Sequence, residues 1–329
     1  MFVESLAPSG AAFPNFAQLP QRLLLDDGAQ RERDVDAQRL LQAFYLREMG
    51  SPAQFASAPG LDEYARIHAL ETAWNEAEER RLDPDAMPAD VEDFTRWYWA
   101  LHYQHRKAVA PFFDYIADTA SLEELAFYVM QEEQVDGRFD DVIALAQVGM
   151  TGDMKLALAE NYWDEMGRGK LDDLHTTLFA RSVDYMRGYM RERDLSGAAP
   201  AAALKNGNLL MMYALRRRYL PRLLGALAIM EHTAPARFAR LVRGLRRFDV
   251  PEHVIHYHEL HIEVDSQHGK ELLNRVLLPL LAVHPEVLRE VCIGCMIRFN
   301  VAMDYYRGVE RGMAQVAARR SSIARRRAG

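Results

Sequence analysis

The chain has 329 residues, of which 49% are hydrophobic and 26% charged, and its formal net charge is −7. This composition is typical of a globular protein with one large domain or two modest ones. It excludes the basic domain that nucleic-acid-binding proteins normally carry, so we expect no nucleic-acid partner. The longest strongly apolar run, at 223–230, is too short to cross a bilayer, so we expect no membrane partner either.

The N-terminal sequence lacks a basic start followed by an apolar run, which argues against a signal peptide. The two cysteines, Cys292 and Cys295, lie in an apolar helical pattern. That pattern is typical of buried small residues rather than of a zinc or redox site. We therefore expect a cytoplasmic protein in a reducing environment.

The predicted elements are helices almost from end to end. The segment 1–33, rich in Pro, Ala and Gly for most of its length, is predicted to be a loosely ordered arm. Apolar residues at helical spacing then predict helices at 34–49, 61–81, 89–118, 121–149, 152–166, 171–192, 201–232, 235–247, 251–283 and 285–318. No alternating strand pattern is found, so the predicted fold class is all-α, with the helices packed around a common core.

We divide the helices into an N-terminal extension at 34–118 and a core at 119–318. The extension is rich in aromatic residues, and we expect it to pack on the core. Capping the substrate entrance and forming a dimer contact are its alternative roles. The basic tail at 319–329 is typical of a disordered, solvated chain end.

The stretch HELHIEVDSQHG contains two kinds of polar residue. With about 100° between successive helical residues, His261, Asp265 and His268 fall on one apolar stripe. Glu259 and Glu263 fall elsewhere and are expected to be solvated. Burying an acid and two histidines together is unfavourable unless they pair with each other or bind a cation. This triplet is therefore a candidate metal site, with an Asp that holds two histidines by hydrogen bonds as the alternative.

Other helices place acids and a histidine on apolar faces. Glu132, Glu231 and His175 each share a face with apolar residues, whereas Glu133 lies about 100° from Glu132 and stays an alternative. Glu165 lies in the last turn of a helix, where an acid opposes the helix dipole. The candidate ligands are Glu132, Glu165, His175, Glu231, His261, Asp265 and His268. This oxygen and nitrogen set suits iron or manganese, and it is about right for two ions roughly 3.5–4 Å apart.

Four stretches then resemble a known family, in its order and spacing: MQEEQVDGRFDDVIAL, KLALAENYWDEMGRGKLDDLHTTLF, EHTAPARFARLVRGL and HIEVDSQHG. The chain resembles the haem-oxygenase-like diiron oxidases and oxygenases, often described as iron-containing redox enzymes. The resemblance covers about 120–270 and implies a haem-oxygenase-like helical bundle as the core. It also implies two iron ions per chain, cycling between Fe(II) and Fe(III), and O2 as a co-substrate.

The resemblance also implies a role for each candidate ligand. It assigns one iron to Glu132, His175 and His268, and the other to Glu165, Glu231, His261 and Asp265, with at least one carboxylate bridging. No protein nucleophile is expected, so no catalytic residues beyond the metal ligands are predicted.

The function expected from the resemblance is O2-dependent N-oxygenation of a small amine or amino acid in specialised metabolism. Arg237, Lys155 and Tyr257 are the predicted substrate-binding residues, although surface salt bridges are the alternative for Arg237 and Lys155. The prediction allows an external electron donor and a homodimer. Desaturation or carbon–carbon cleavage of an amino or fatty acid is the alternative reaction. A cofactor-free oxidase and a non-catalytic helical binding protein are the alternatives of another class.

Overall fold

The computed structural model of the chain describes residues 28–50, 60–190 and 201–328. The part of the predicted arm before residue 28, and the predicted loops around 51–59 and 191–200, lie outside these residues. Within the described ranges the chain is helical and contains no strand, which confirms the predicted all-α fold class.

The α-helices, numbered in chain order, are α1 (Gly28–Glu48), α2 (Leu61–Glu79), α3 (Val91–Asp118), α4 (Leu122–Asp136), α5 (Phe139–Ala146), α6 (Gly152–Glu165), α7 (His175–Arg187), α8 (Ala201–Leu215), α9 (Leu220–Arg246), α10 (Glu252–Glu271), α11 (Leu278–Val283) and α12 (Leu288–Ala328). A π-helical segment, Leu272–Leu277, joins α10 to α11.

The expected helix break at Pro235 is absent, because α9 continues through this proline. An interior proline normally destabilises a helix by about 3 kcal/mol. Here the apolar face of α9 is buried against its neighbours, and that packing outweighs the loss. The chain instead breaks at 216–219, and Pro221 lies in the first turn of α9, where its missing N–H needs no partner.

Three smaller boundaries also differ from the predictions. Helix α1 begins at Gly28, inside the predicted arm, and the predicted helix 121–149 is divided between α4 and α5 near Gly137. Helix α12 continues to Ala328 and so includes residues 319–328, for which a disordered chain end was expected. Alanine and arginine are strong helix formers, and their abundance in this tail favours continuation of the helix.

Helix α9 is the central element of the described bundle. It packs along α10, α12 and α3, and the last of these belongs to the predicted N-terminal extension. Cys292 and Cys295 are both buried and unpaired on α12, as expected. None of the helices in the described ranges combines the length and apolar character that a membrane crossing requires.

Candidate metal centre

All seven candidate ligands are buried, and none is more than 5% exposed. Glu259 and Glu263, which were expected to be solvated, are exposed on the outer face of α10. Six of the seven candidate ligands form two groups of three, in which one ligand atom from each residue lies within 4.8 Å of the others. The groups are Glu165, His175 and His261, called here the first triad, and Glu231, Asp265 and His268, called the second triad.

The first triad depends on the turn between α6 and α7. Glu165 is the last residue of α6, and His175 is the first residue of α7. Between them Gly167 has a φ of 56°, and a Cβ there would lie 2.4 Å from the Asp173 carbonyl carbon. Only glycine fits this close, left-handed turn. The turn brings His175 back beside Glu165.

The donor atoms of the first triad converge without satisfying one another. Nδ1 of His175 lies 3.0 Å from Oε2 of Glu165, yet this nitrogen and Oε1 of Glu165 have no hydrogen-bond partner. Nδ1 of His261 donates to the Tyr257 carbonyl at 2.6 Å, which leaves Nε2 of His261 with a free lone pair. Buried polar atoms are normally paired, so these unpaired ligand atoms are suited to hold a cation.

The second triad is supported by two further side chains. Nε2 of His268 donates to Oδ2 of Asp164 at 3.1 Å, so in the neutral ring the lone pair is on Nδ1, which lies 3.9 Å from Glu231 and has no hydrogen bond. The Asn161 amide donates to Glu231 at 3.2 Å. A carboxylate that orients a histidine in this way is typical of histidine metal ligands.

Helix α10 brings the two triads together. It supplies His261 to the first triad and Asp265 and His268 to the second. His261 and Asp265 are four residues apart on one helix, so their Cβ atoms are about 5–6 Å apart. The triads are therefore neighbours along α10.

The electrostatics of the cluster favour a bound cation. Burial raises the pKa of Glu231 to about 7, and burial together with Glu231 and Glu165 raises the pKa of Asp265. Burial lowers the pKa of His261, so its imidazole is neutral and able to act as a ligand. Since buried anions without a counter-charge are destabilising, a bound cation would favour the ionised form of these acids.

Glu132, the seventh candidate ligand, lies outside both triads. Its carboxylate forms an ion pair with Arg237 and accepts a hydrogen bond from the Tyr305 hydroxyl. The neighbouring Glu133 is exposed, so the choice of Glu132 as the inward residue agrees with its burial. The structure therefore divides the candidate ligands differently from the assignment that the resemblance implied, because His175 lies against Glu165 and His268 against Glu231.

Asp136, one helical turn beyond Glu132, is a site residue that sequence reasoning did not include among the ligands. Its carboxylate is buried, and Oδ2 has no hydrogen-bond partner. Burial and nearby Glu165 raise its pKa to about 7. The signal in the sequence was its position on the same face as Glu132.

The three predicted substrate-binding residues have different environments. Tyr257 is buried, and its ring centroid lies 4.2 Å from that of His261 and 4.9 Å from that of Phe179. Arg237 lines a cavity beside Glu132. Lys155 is exposed on α6 and does not line that cavity.

The fold and the site together define a haem-oxygenase-like helical bundle with a buried carboxylate–histidine centre. The model of the family described as iron-containing redox enzymes matches residues 126–303, more than half of the chain. The chain belongs to this family, and it is an oxidoreductase whose expected metal is iron. A search of the curated proteins finds no match.

Proposed function

We propose that this protein is a non-haem diiron oxygenase that uses O2 to oxidise a small amine or amino acid, with N-oxygenation as the reaction. The observation that supports the proposal most strongly is the pair of adjacent buried triads with unpaired donor atoms. When bound, a pair of ferrous ions would supply the electrons that reduce O2 and the oxidant that acts on the substrate.

The ligand types favour iron. The first triad consists of two histidines and one carboxylate, which is the ligand set of many non-haem Fe(II) oxygenases. The second triad contributes two carboxylates and one histidine, and neither contains a cysteine. Three carboxylates balance only part of the charge of two divalent ions, and the buried carboxylate of Asp136 is available as a fourth.

The residues around the triads have supporting roles. The Tyr257 carbonyl and Asp164 fix the tautomers of His261 and His268, so that each presents a lone pair to the centre. Tyr257, Phe179 and Phe238 form an aromatic wall beside the first triad. This wall excludes water from the reacting groups and so protects the oxidant from side reactions.

The choice of N-oxygenation over the alternative reactions rests on resemblance. A ligand set that includes Glu165 resembles that of the amine N-oxygenases. The two triads also favour a metal enzyme over a cofactor-free oxidase or a binding protein, which would leave three buried carboxylates and three histidines unexplained.

Oxygen consumption by the Fe(II)-loaded protein tests the proposal, with a panel of primary amines and amino acids as substrates. The expected product is heavier by one oxygen atom, and His261→Ala should abolish iron-dependent oxygen consumption while keeping its helical circular dichroism. His256→Ala is the matched control, because His256 lies on the same helix but is exposed. Unchanged consumption in His261→Ala would refute the site. A product lighter by two hydrogen atoms would replace N-oxygenation with desaturation.

A further inference from the structure

A cavity of about 280 Å³ lies between α3, α9 and α12. Its volume is near the lower end of the range of about 300–1,000 Å³ that is usual for ligand pockets, so it suits a small molecule. Val109 and Phe113 of α3 form part of an apolar wall. A second pocket of about 20 Å³, called here the extension, shares His105 and Arg237 with this cavity and is also lined by Arg298 and Phe299 of α12.

The cavity lining is strongly cationic. Five basic side chains line it and its extension, and no acidic residue does: Arg106, Lys107, Arg237, Arg240 and Arg298. Two of these are already neutralised, since Arg237 forms an ion pair with Glu132 and Arg240 with Asp114. Among the described residues, the other three have no carboxylate at ion-pair distance. Their uncompensated charge favours an anionic ligand.

Arg298 is the most informative of the three. It is only 7% exposed, and its observed hydrogen bonds both run from Nη1 to Asn206, one to the backbone carbonyl and one to the side-chain oxygen. Burial lowers the pKa of Arg298 to about 10, so the group remains a cation at neutral pH. A buried cation without a carboxylate at ion-pair distance is unfavourable, because buried charges are normally paired. An anion in the cavity would supply the missing partner.

His105 supplies a second, independent observation in favour of a ligand in this cavity. It is 5% exposed, lines both parts of the cavity, and its Nδ1 has no hydrogen-bond partner. Its ring packs edge-on against Phe299, with 5.1 Å between centroids. A buried imidazole nitrogen without a hydrogen bond, in the same cavity as a buried guanidinium that has no carboxylate at ion-pair distance, indicates a ligand that carries more than one polar atom.

The cavity is also linked to the metal centre. Arg237 lines the cavity while it holds Glu132, and its charge acts on Asp265 of the second triad. The Arg237 side chain therefore joins the cavity to the face of α4 that carries Glu132.

We propose that this cavity binds the carboxylate of the substrate, with Arg298 as the main anion-binding residue and His105 as a second polar contact. The inference rests on the proposed function, and it narrows the substrate class to small carboxylic acids of amino-acid size. An arginine forms paired hydrogen bonds with a carboxylate, which fixes the orientation of the ligand. The wall supplied by α3 gives the N-terminal extension a direct part in substrate binding.

Ligand binding to the full-length protein tests this proposal without any turnover. Thermal unfolding and calorimetry are carried out anaerobically, both on the protein as isolated and after Fe(II) loading. The panel consists of the common amino acids, straight-chain carboxylates from acetate to octanoate, the carboxamide of each, and inorganic phosphate and sulfate. We expect at least one carboxylic acid to raise the melting temperature and its carboxamide to leave it unchanged.

Arg298→Met should weaken that binding by about 10- to 100-fold, the usual effect of removing a hydrogen bond to a charged group. The ligand-free variant should unfold at the same or a higher temperature than the wild type, because an unpaired buried cation is removed. If Arg298 had a purely structural role, its replacement would instead lower the unfolding temperature. Arg298→Lys keeps the charge and should retain part of the binding. Arg307→Gln is the matched control, since Arg307 lies on the same helix but is exposed and pairs with Asp304.

Several outcomes would overturn the proposal. These are binding to none of the carboxylic acids, equal binding of acid and carboxamide, and undiminished binding in both Arg298 variants. If phosphate or sulfate bound through Arg298 as tightly as every carboxylic acid, the cavity would be an inorganic anion site. Because the protein as isolated is tested without O2, these results are separate from a failure of the diiron assignment, which changes iron content and oxygen consumption instead.

Discussion

Replacing Asp164 by alanine should weaken one of the two metal sites and leave the other intact. The Asp164 carboxylate accepts a hydrogen bond of 3.1 Å from Nε2 of His268, and so keeps the lone pair of the neutral ring on Nδ1, beside Glu231. Without Asp164 the ring can turn and place its proton on Nδ1, which removes the lone pair that the second triad needs. Asp164 has no comparable contact with the first triad.

The size of this effect follows from the kind of contact that is lost. Removing a carboxylate that orients a histidine ligand typically lowers metal affinity by about 10- to 100-fold. That corresponds to about 1.4–2.7 kcal/mol of binding free energy. The other partner of Asp164 is the exposed Arg168, and loss of an exposed salt bridge contributes less than about 1 kcal/mol to stability.

Anaerobic calorimetric titration with Fe(II) measures the two sites separately. The wild-type protein should bind two equivalents, and Asp164→Ala should show one unchanged and one weakened equivalent. Asp172→Ala is the matched control, because Asp172 is 91% exposed and pairs only with Arg181 on the surface. Unchanged affinities in Asp164→Ala, or equal weakening of both sites, would refute the division into two triads.

Three further predictions concern the same region. Glu132→Gln should keep both irons because Arg237 already neutralises Glu132, whereas Asp136→Asn should lower iron affinity. Metal analysis of the two variants measures the iron that each retains. The reverse result would restore Glu132 as a ligand. In the iron-free protein, the stabilising contribution of protonated Glu231 and Asp136 should be present below about pH 4 and should be lost as pH rises through about 7, because burial raises both pKa values to about 7. The melting temperature of the wild type relative to that of Glu231→Gln, both without Fe(II), should therefore be higher at about pH 5 than at about pH 8, and an equal difference at the two pH values would contradict this contribution. Gly207→Ala should destabilise the protein by about 1–3 kcal/mol or more, because a Cβ there would lie 1.8 Å from the Gln134 carbonyl oxygen of α4. Gly60→Ala should not destabilise it, because Gly60 has open space around it. Equal melting temperatures of the two variants would contradict this packing.

Helical periodicity predicted much of the site because most of the candidate ligands lie on regular helices. His261, Asp265 and His268 share one stripe of α10 at intervals of four and three residues, and all three are buried. The same reasoning separated Glu132, which is buried, from Glu133, which is exposed. In both cases the rotation per residue alone decides which side chains face inward.

Other features depend on contacts between helices, which periodicity does not specify. The partners of Glu132 come from α9 and α12, so its ion pair with Arg237 could not be read from α4 alone. The support of His268 by Asp164 joins residues 104 positions apart. No pattern in the sequence distinguishes Arg298 from other polar residues of a long helix, and only the structure shows that it is buried beside a cavity without a carboxylate at ion-pair distance.

The helix boundaries show a related limit. Pro235 is an interior proline that predicts a helix break, yet the buried face of α9 keeps the helix continuous. The true start of α9 carries its own local signal, since Pro221 occupies the first turn. Local signals for the end or the start of a helix therefore compete with tertiary packing, and the sequence alone does not show which of the two prevails.

Iron content tests the diiron proposal most directly. The purified protein is loaded anaerobically with Fe(II), freed of excess metal, and analysed for iron per chain alongside His175→Ala and Glu231→Gln. The proposal predicts close to two irons in the wild type and close to one in each variant, because each substitution removes a ligand from a different triad. Fewer than one iron in the wild type, or two irons retained in both variants, would contradict it.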